Sequence, residues 1–157
     1  MIYIIDIDGT IADLTHRLHH IRFDGTWVST ADSKAGWASF YAACPDDKPI
    51  FEVITVVRAL VFAGQEVVYI TGRSEETRSA TQAWLDKYRL PKGQMYMRAV
   101  GDHRHDNIVK GELLDRFMAS GNLRLPSIGG AFEDRQQVVD MYRSRGIKVF
   151  QVAKGDF

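Results

Sequence analysis

Short apolar runs alternate with segments of helical spacing from residue 49 onward, and this alternation constrains the fold more than any other feature. The apolar runs read EVVYITGR, QMYMRAV, SIGGAFED and IKVFQVA, and a fifth, IYII, lies near the start of the chain. Between them, segments such as IFEVITVVRALVFAG and NIVKGELLDRFMASG carry apolar residues at helical spacing. Strands that alternate with helices require right-handed crossovers and a parallel sheet covered on both faces. The pattern therefore predicts an α/β fold, a Rossmann-like three-layer sandwich around a parallel sheet.

Residues 11–48 do not follow this alternation. They show weak periodicity and many turn formers, and they hold two of the three Trp residues. We expect a small insert, or cap, after strand 1 that lies over one end of the sheet. A chain of 157 residues suits one domain, so we predict a single domain over 1–157 with 11–48 as its insert.

Composition narrows the class of protein. The 20 basic and 20 acidic residues give a formal net charge of zero, which argues against a surface that binds nucleic acid everywhere but allows a local basic groove. The lone Cys44 excludes an intrachain disulfide framework and fits a reducing compartment. The start MIYIIDIDGT is no signal peptide, and no apolar run is long enough to cross a bilayer. We expect a cytoplasmic protein without membrane contact.

Polar groups suited to phosphate or metal follow three of the predicted strands, and a lysine begins one of the helices. The set comprises Asp6-Ile7-Asp8-Gly9-Thr10, Thr71-Gly72-Arg73, Glu133-Asp134 and Lys110. Each alone is commonplace in turns, helix caps or solvated surfaces. Because the carboxyl ends of parallel strands share one edge, where such sheets bind ligands, we expect the four to converge.

Their chemistry fits the hydrolysis of a phosphomonoester. Asp6 is positioned as a nucleophile, and Asp8 as the acid that protonates the leaving oxygen and later activates water. Thr71 can donate hydrogen bonds to phosphoryl oxygens, and Lys110 supplies positive charge. Carboxylates beside an anionic substrate would repel it, so a divalent cation is needed, and oxygen ligands favour Mg²⁺.

The motifs DIDGT, ITGR and FEDR, with Lys110, resemble the four motifs of the haloacid dehalogenase-like (HAD) phosphatase superfamily. Longer blocks resemble the 3′-phosphatase domains of phage polynucleotide kinase–phosphatases. They read ITGRSEETRSATQAWL, MYMRAVGDHRHDNIVKGELL, FEDRQQVVDMYRSRGI and FQVAKGDF. The resemblance covers most of the chain and implies a HAD-like fold and a role in nucleic-acid repair.

The resemblance also implies roles for individual residues. Asp6 would be the nucleophile and Asp8 the acid and base, while Thr71 and Lys110 would hold the phosphoryl group. Mg²⁺ would be bound by Asp6, by the main-chain carbonyl of Asp8 and by the pair at 133–134. The pair is Glu133-Asp134 where the family usually has two Asp. We favour Asp134 as the direct ligand, with Glu133 positioning a metal-bound water.

Substrate contacts are expected from a second group of residues. Gly72 and Arg73 would meet the phosphate or a neighbouring nucleotide, and Arg17 would reach the substrate from the insert. Arg104 would shape the rim of the site, through a phosphate contact or an ion pair with Asp102.

The leading functional hypothesis is a Mg²⁺-dependent phosphatase that removes 3′-phosphates from nucleic-acid ends. A 5′-nucleotidase, or another phosphatase of small nucleotides, is the alternative on the same core. A non-catalytic HAD-like binding protein is a third, against which the intact Asp6 and Asp8 weigh. The sequence contains no Walker-type phosphate loop, so a kinase or ligase would be a separate partner. It leaves open whether DNA, RNA or a mononucleotide is the substrate.

Several local features allow two interpretations. His16 and His20 could share a helix face and bind Zn²⁺, although surface or substrate-contact roles are more common. Aromatic residues of the insert could stack on a base or pack the insert onto the sheet; they are Phe23, Trp27, Trp37, Phe40 and Tyr41. Helix caps are expected at Ser74, and at Asp106 or Asn107 just before Lys110.

Overall fold

The computed structural model describes residues 1–23, 26–27 and 33–155, and its centre is a parallel sheet. The strands are β1 (Ile2–Ile5), β2 (Ala12–Asp13), β3 (Arg22–Phe23), β4 (Thr26–Trp27), β5 (Lys48–Pro49), β6 (Glu66–Ser74), β7 (Gln94–Arg98), β8 (Ile128–Arg135) and β9 (Val149–Gly155). Five of them form the sheet in the order β7-β6-β1-β8-β9. The order reverses beside β1, so the ends of β1 and β8 border the crevice where such sheets bind ligands.

Helices cover both faces of this sheet. They are α1 (Ser33–Ala42), α2 (Phe51–Phe62), α3 (Arg78–Lys87), α4 (Asp106–Ser120) and α5 (Gln136–Ser144). Successive residues of a strand point to opposite faces, which gives two separate cores. Ile5 belongs to the core shared with α2 and α3, and Ile4 to the core shared with α4 and α5. The predicted three-layer α/β arrangement is confirmed.

The insert is built from short pieces that close on themselves. Strands β2 and β5 pair antiparallel, Ala12 opposite Pro49, and so bring its two ends together. Between them lie a 3₁₀ helix, Thr15–His20, and α1. Leu14, Ile21 and Phe40 form its small core. The side chains of Phe23 and Trp27, for which stacking or packing was predicted, lie outside the described residues.

Of the predicted helix caps, Ser74 does occupy an N-cap position, that of the 3₁₀ turn leading into α3, whereas the cap predicted at Asp106 or Asn107 is wrong. Strand β6 continues through Ser74, and a 3₁₀ turn, Glu75–Thr77, precedes α3 without a capping bond from the Ser74 side chain. Helix α4 begins at Asp106 with His105 at its N-cap, so Asn107 lies inside the helix. The Asp106 carboxylate instead faces Lys110, because a buried ammonium needs a paired carboxylate more than the helix end needs a cap.

Across the described ranges, no helix combines the length and apolarity that crossing a membrane requires.

Candidate active site

Asp6 and Asp8 lie at the carboxyl end of the central strand because the chain turns back immediately after them. The amides of Thr10, Ile11 and Ala12 all donate to the carbonyl of Ile7. Gly9 has φ +80°, in the left-handed region where glycine carries no steric penalty. The turn leaves Asp6 buried, with its Oδ2 accepting a 3.4 Å hydrogen bond from the Thr10 hydroxyl.

Lys110 links three carboxylates beneath the site. Its Nζ lies 2.8 Å from Asp6 Oδ1, 2.8 Å from Glu133 Oε2 and 3.3 Å from Asp106 Oδ2. Burial lowers the pKa of Lys110, but the facing carboxylates outweigh burial and raise it well above its ordinary value. The ammonium is therefore charged at neutral pH, and it comes from the first turn and a half of α4, directly below the end of β1.

The structure places Asp8 between two buried arginines. Arg17 Nη2 donates to Asp8 Oδ1 at 2.6 Å, and Arg73 donates to the same oxygen through Nε at 2.9 Å and Nη2 at 2.6 Å. Burial raises the pKa of Asp8, but the charges of Arg73 and Arg17 outweigh it and hold the pKa below its usual value. The two cations fix the carboxylate of the expected acid and base in one position.

A fourth charged side chain, Asp47, completes this cluster. Its Oδ1 accepts from Arg17 Nε at 2.7 Å and lies 2.9 Å from His16 Nε2, while its Oδ2 accepts from Arg17 Nη2 at 2.8 Å and Arg73 Nη2 at 2.5 Å. Its carbonyl accepts from the Trp84 indole at 2.8 Å. Asp47 thus joins the insert, which carries Arg17, to the sheet, which carries Arg73.

These contacts place Arg17 and Arg73 differently from the sequence-based expectation. Both guanidiniums are fully buried, and their described hydrogen bonds go to protein groups. Their geometry suits the positioning of Asp8 rather than a reach into solvent for a distant part of a substrate.

Three carboxylates at the ends of β1 and β8 could hold a metal ion. One oxygen from each of Asp6, Glu133 and Asp134 lies within 4.8 Å of the others. Glu133 is already engaged, since its Oε2 meets Lys110 and its Oε1 accepts from the amides of Asp134 and Arg135. Asp134 Oδ1 is buried and has no hydrogen-bond partner among the described residues. An orphaned buried carboxylate oxygen fits a hard cation such as Mg²⁺.

The protonation of this cluster also favours a cation. Burial, with the charge of Glu133 second, raises the pKa of Asp6 well above its ordinary value. Burial raises the pKa of Glu133 and of Asp134 to about 7 in each case. Three acids beside one lysine hold excess negative charge, which a divalent ion would neutralise. The side chain of Asp8 lies outside this acidic group because the arginines engage it.

The Thr71-Gly72-Arg73 segment borders the same cleft. Thr71 is buried, and its hydroxyl oxygen accepts from the Arg73 amide at 3.2 Å. A Cβ on Gly72 would lie 2.4 Å from Asp106 Oδ1, so only glycine permits this approach. The Gly72 carbonyl accepts from Arg98 Nε at 2.9 Å. Arg98 also binds Asp106 Oδ1 at 2.9 Å, which ties the end of β7 to the start of α4.

Arg104 lies on the rim of the cleft, on the loop before α4. Its guanidinium binds Asp102 at 2.7 Å and Glu112 at 2.7 Å, so the ion pair expected with Asp102 is present. His16 is engaged with Asp47, and the acidic group at Asp6 is the one set of three metal-binding side chains found within the described part of the chain. The Zn²⁺ alternative at His16 and His20 therefore gains no support.

Sequence reasoning missed four residues of the site. Asp106 could have been found from its i, i+4 spacing to Lys110. Arg98 could have been found because it ends β7, at the edge where parallel sheets bind ligands. No sequence pattern marks Asp47 or Gly155, because each contacts a residue that is distant in the chain. Asp47 lies 30 residues from its partner Arg17, and Gly155 lies 21 residues from Asp134. A Cβ on Gly155 would lie 2.1 Å from Asp134 Oδ2, so glycine at this position leaves room for the Asp134 carboxylate.

Solved structures share this fold. CbbY from Rhodobacter sphaeroides in complex with phosphate matches with a TM-score of 0.65 and 11% identity, over 99% of this chain and 86% of that one. The class C acid phosphatase from Bacillus anthracis matches with a TM-score of 0.64 and 14% identity, over 99% of this chain and 66% of that one. At these low identities the two structures show that the fold is shared.

A family model shows the class: the chain is a phosphatase domain of the HAD class, and therefore a phosphoric monoester hydrolase. The chain belongs to the family described as the polynucleotide kinase PNKP phosphatase domain, which matches residues 21–157. A chain in the structure of the Pnkp1/Rnl/Hen1 complex is similar at 29% identity and a TM-score of 0.75, over 99% of this chain. A chain in the structure of the Pnkp1/Rnl/Hen1 RNA repair complex is similar at 28% identity and a TM-score of 0.74, also over 99% of this chain. This chain covers only 46% and 43% of those two.

Proposed function

We propose that this chain is a Mg²⁺-dependent phosphatase that removes 3′-phosphates from nucleic-acid ends in repair. The observation that carries the proposal is the match of residues 21–157 to the PNKP phosphatase-domain family, combined with an intact set of reacting groups. The neighbour that belongs to an RNA repair complex supports a nucleic-acid substrate and a repair setting with partner proteins. A kinase or ligase supplied by another chain, or by another part of a longer protein, suits this setting.

The geometry supports a reaction in two displacements. In the first, a carboxylate oxygen of Asp6 attacks phosphorus and the bond from phosphorus to the 3′-oxygen breaks. The leaving oxygen takes a proton from Asp8, which Arg17 and Arg73 hold in place. Because the two arginines lower the pKa of Asp8, this proton has to arrive with the substrate, passed to Asp8 from the monoanion form of the phosphate. In the second, water gives a proton back to Asp8 and attacks phosphorus, and the aspartyl-phosphate bond breaks. Lys110, charged and 2.8 Å from Asp6, balances the negative charge throughout.

Asp6 and Asp134 would hold Mg²⁺, with the carbonyl of Asp8 as a further ligand. Glu133 would support this site without binding the ion directly. Bound there, the ion would shield Asp6 from the anionic phosphate. Glu133 is held by Lys110 and two amides, so its role would be to orient Asp134 and a metal-bound water. Thr71 would donate to a phosphoryl oxygen.

A phosphate-release panel with Mg²⁺ tests the substrate. It compares kcat/KM for 3′-phosphorylated oligonucleotides, 3′-mononucleotides and 5′-mononucleotides. We expect the 3′-phosphorylated ends to be the better substrates. A much larger kcat/KM for 5′-mononucleotides would overturn the proposal in favour of a nucleotidase.

The covalent mechanism is tested separately with a ³²P-labelled substrate. Rapid acid quenching should leave a label on the wild-type chain that hydroxylamine removes, as an acyl-phosphate requires. Asp6→Asn should show neither label nor turnover, with thermal melting confirming that it folds. Turnover by Asp6→Asn would contradict the aspartyl-phosphate mechanism.

A further inference from the structure

An aromatic surface from the insert faces the cleft above the reacting groups. The cleft has a volume of ≈ 320 Å³, with Asp6, Asp8 and Lys110 among its lining residues. Helix α1 contributes Trp37 and Tyr41 to the same lining. This volume lies near the lower end of the range for small-ligand sites, roughly 300–1,000 Å³, and suits one nucleotide better than several.

The three aromatic residues of α1 have different roles. Phe40 is buried, its carbonyl accepts from Arg17 at 3.3 Å, and its ring lies 4.1 Å from the Arg17 guanidinium carbon. It packs the insert onto the charged cluster. Trp37 and Tyr41, four residues apart, are only half-buried, with ring centroids 5.7 Å apart and planes at 35°.

The hydroxyl group of Tyr41 holds the ring next to the Thr71-Gly72-Arg73 segment. The phenol donates a 3.4 Å hydrogen bond to the carbonyl of Gly72, which directly follows Thr71. The aromatic surface is therefore attached to the segment expected to hold the phosphate. A group bound against Trp37 and Tyr41 would lie within reach of a phosphate held over Asp6.

The charges along the cleft suggest what the aromatic surface binds. Each arginine in the described lining has a carboxylate partner: Arg98 has Asp106, Arg104 has Asp102 and Glu112, and Arg135 has Asp106 at 3.5 Å. A groove that follows a phosphate backbone depends on cations available to many phosphates. An aromatic platform beside internally neutralised arginines suits a nucleobase, whose faces stack on aromatic rings.

We propose that Trp37 and Tyr41 form a stacking platform for the base of the 3′-terminal nucleotide, and that this contact selects nucleotide ends over other phosphomonoesters. The proposal rests on the proposed 3′-phosphatase function and adds its means of substrate recognition. Base stacking lowers KM and leaves the chemical step alone, because the base is remote from the bond that breaks.

The test uses two 3′-phosphorylated oligonucleotides that differ only in the last residue, a normal nucleotide or a base-free tetrahydrofuran. Wild-type protein should favour the normal end by roughly tenfold in kcat/KM, mostly through KM. Trp37→Leu should abolish this preference by raising KM for the normal end alone, and glycerol 2-phosphate, which has no base, is the third substrate. Phe62→Leu, at an exposed aromatic residue at the end of α2, is the matched control and should keep the preference.

Trp37→Phe, which retains a ring, guards against loss of folding and should keep most of the preference. Equal rates on both ends with wild-type protein would overturn the platform while leaving the 3′-phosphatase function intact. A preference that survives in Trp37→Leu, with only a lower melting temperature, would show that Trp37 merely packs the insert. Hydrolysis of glycerol 2-phosphate with neither oligonucleotide cleaved would refute the proposed function itself, and with it the platform.

Discussion

Replacing Asp47 by Asn should destabilise the protein strongly, although the two side chains have nearly the same shape. Asp47 is buried, and each of its carboxylate oxygens has two charged or ionisable partners from Arg17, Arg73 and His16. Asn keeps one acceptor oxygen but turns an amide donor towards guanidinium donors, so at least two hydrogen bonds are lost. At roughly 1.5–3 kcal/mol for each charge-assisted bond, two bonds come to about 3–6 kcal/mol, and breaking a buried ion pair costs about 3–5 kcal/mol, which is the loss we expect.

Urea unfolding of Asp47→Asn and Asp46→Asn measures this effect. Asp46 is the neighbouring residue, is exposed and undergoes the same chemical change, so it is the matched control. Asp47→Asn should lose about 3–5 kcal/mol of unfolding free energy and melt roughly 6–20 °C lower. Because Arg17 and Arg73 also hold Asp8, its kcat should fall at least about tenfold. If the two variants differ by less than about 1 kcal/mol, the role assigned to Asp47 is wrong.

Two further predictions concern Glu133 and Asp134, the buried acids at the proposed Mg²⁺ site. Burial raises the pKa of Glu133 and Asp134 to about 7, so metal-free protein should lose stability as pH rises from about 4 through 7, where the unfolded chain binds fewer protons. Mg²⁺ at about 100 times its Kd should then raise the melting temperature by roughly 5–10 °C at pH 8 and by clearly less at pH 5, and an equal shift at both would contradict this. Gly155→Ala, whose Cβ would lie 2.1 Å from Asp134 Oδ2, should abolish the Mg²⁺-induced shift of the melting temperature, measured by calorimetry. The control is Gly111→Ala, whose Cβ would have the flexible end of the Arg145 side chain as its nearest contact, at 3.0 Å. Wild-type Mg²⁺ binding by Gly155→Ala would show that the carboxylate can move aside.

The sequence contained enough to predict the sheet, its helices and the residues at the strand ends. Short continuous apolar runs and helical segments of period 3.6 are local properties, so they are readable before folding. Chemistry at strand ends follows from the polarity of parallel sheets, which is why Asp6, Lys110 and Asp134 were predicted to lie together. The cap at Asp106 or Asn107 was predicted incorrectly because Asp106 has a stronger partner in the folded protein than its own helix end.

Only the tertiary structure decided how Asp8, the proposed acid, is held and which residues line the cleft. Arg17 and Arg73, 56 residues apart, share Asp8 and Asp47 because the insert folds back over the sheet. Nothing local marks Asp47 as their partner, since its neighbour Asp46 has the same side chain and lies in solvent. The sequence by itself predicted which groups react, from the apolar strand runs and the polarity of a parallel sheet. The structure determined which charges neutralise one another, because burial makes pairing obligatory and only the fold sets the distances.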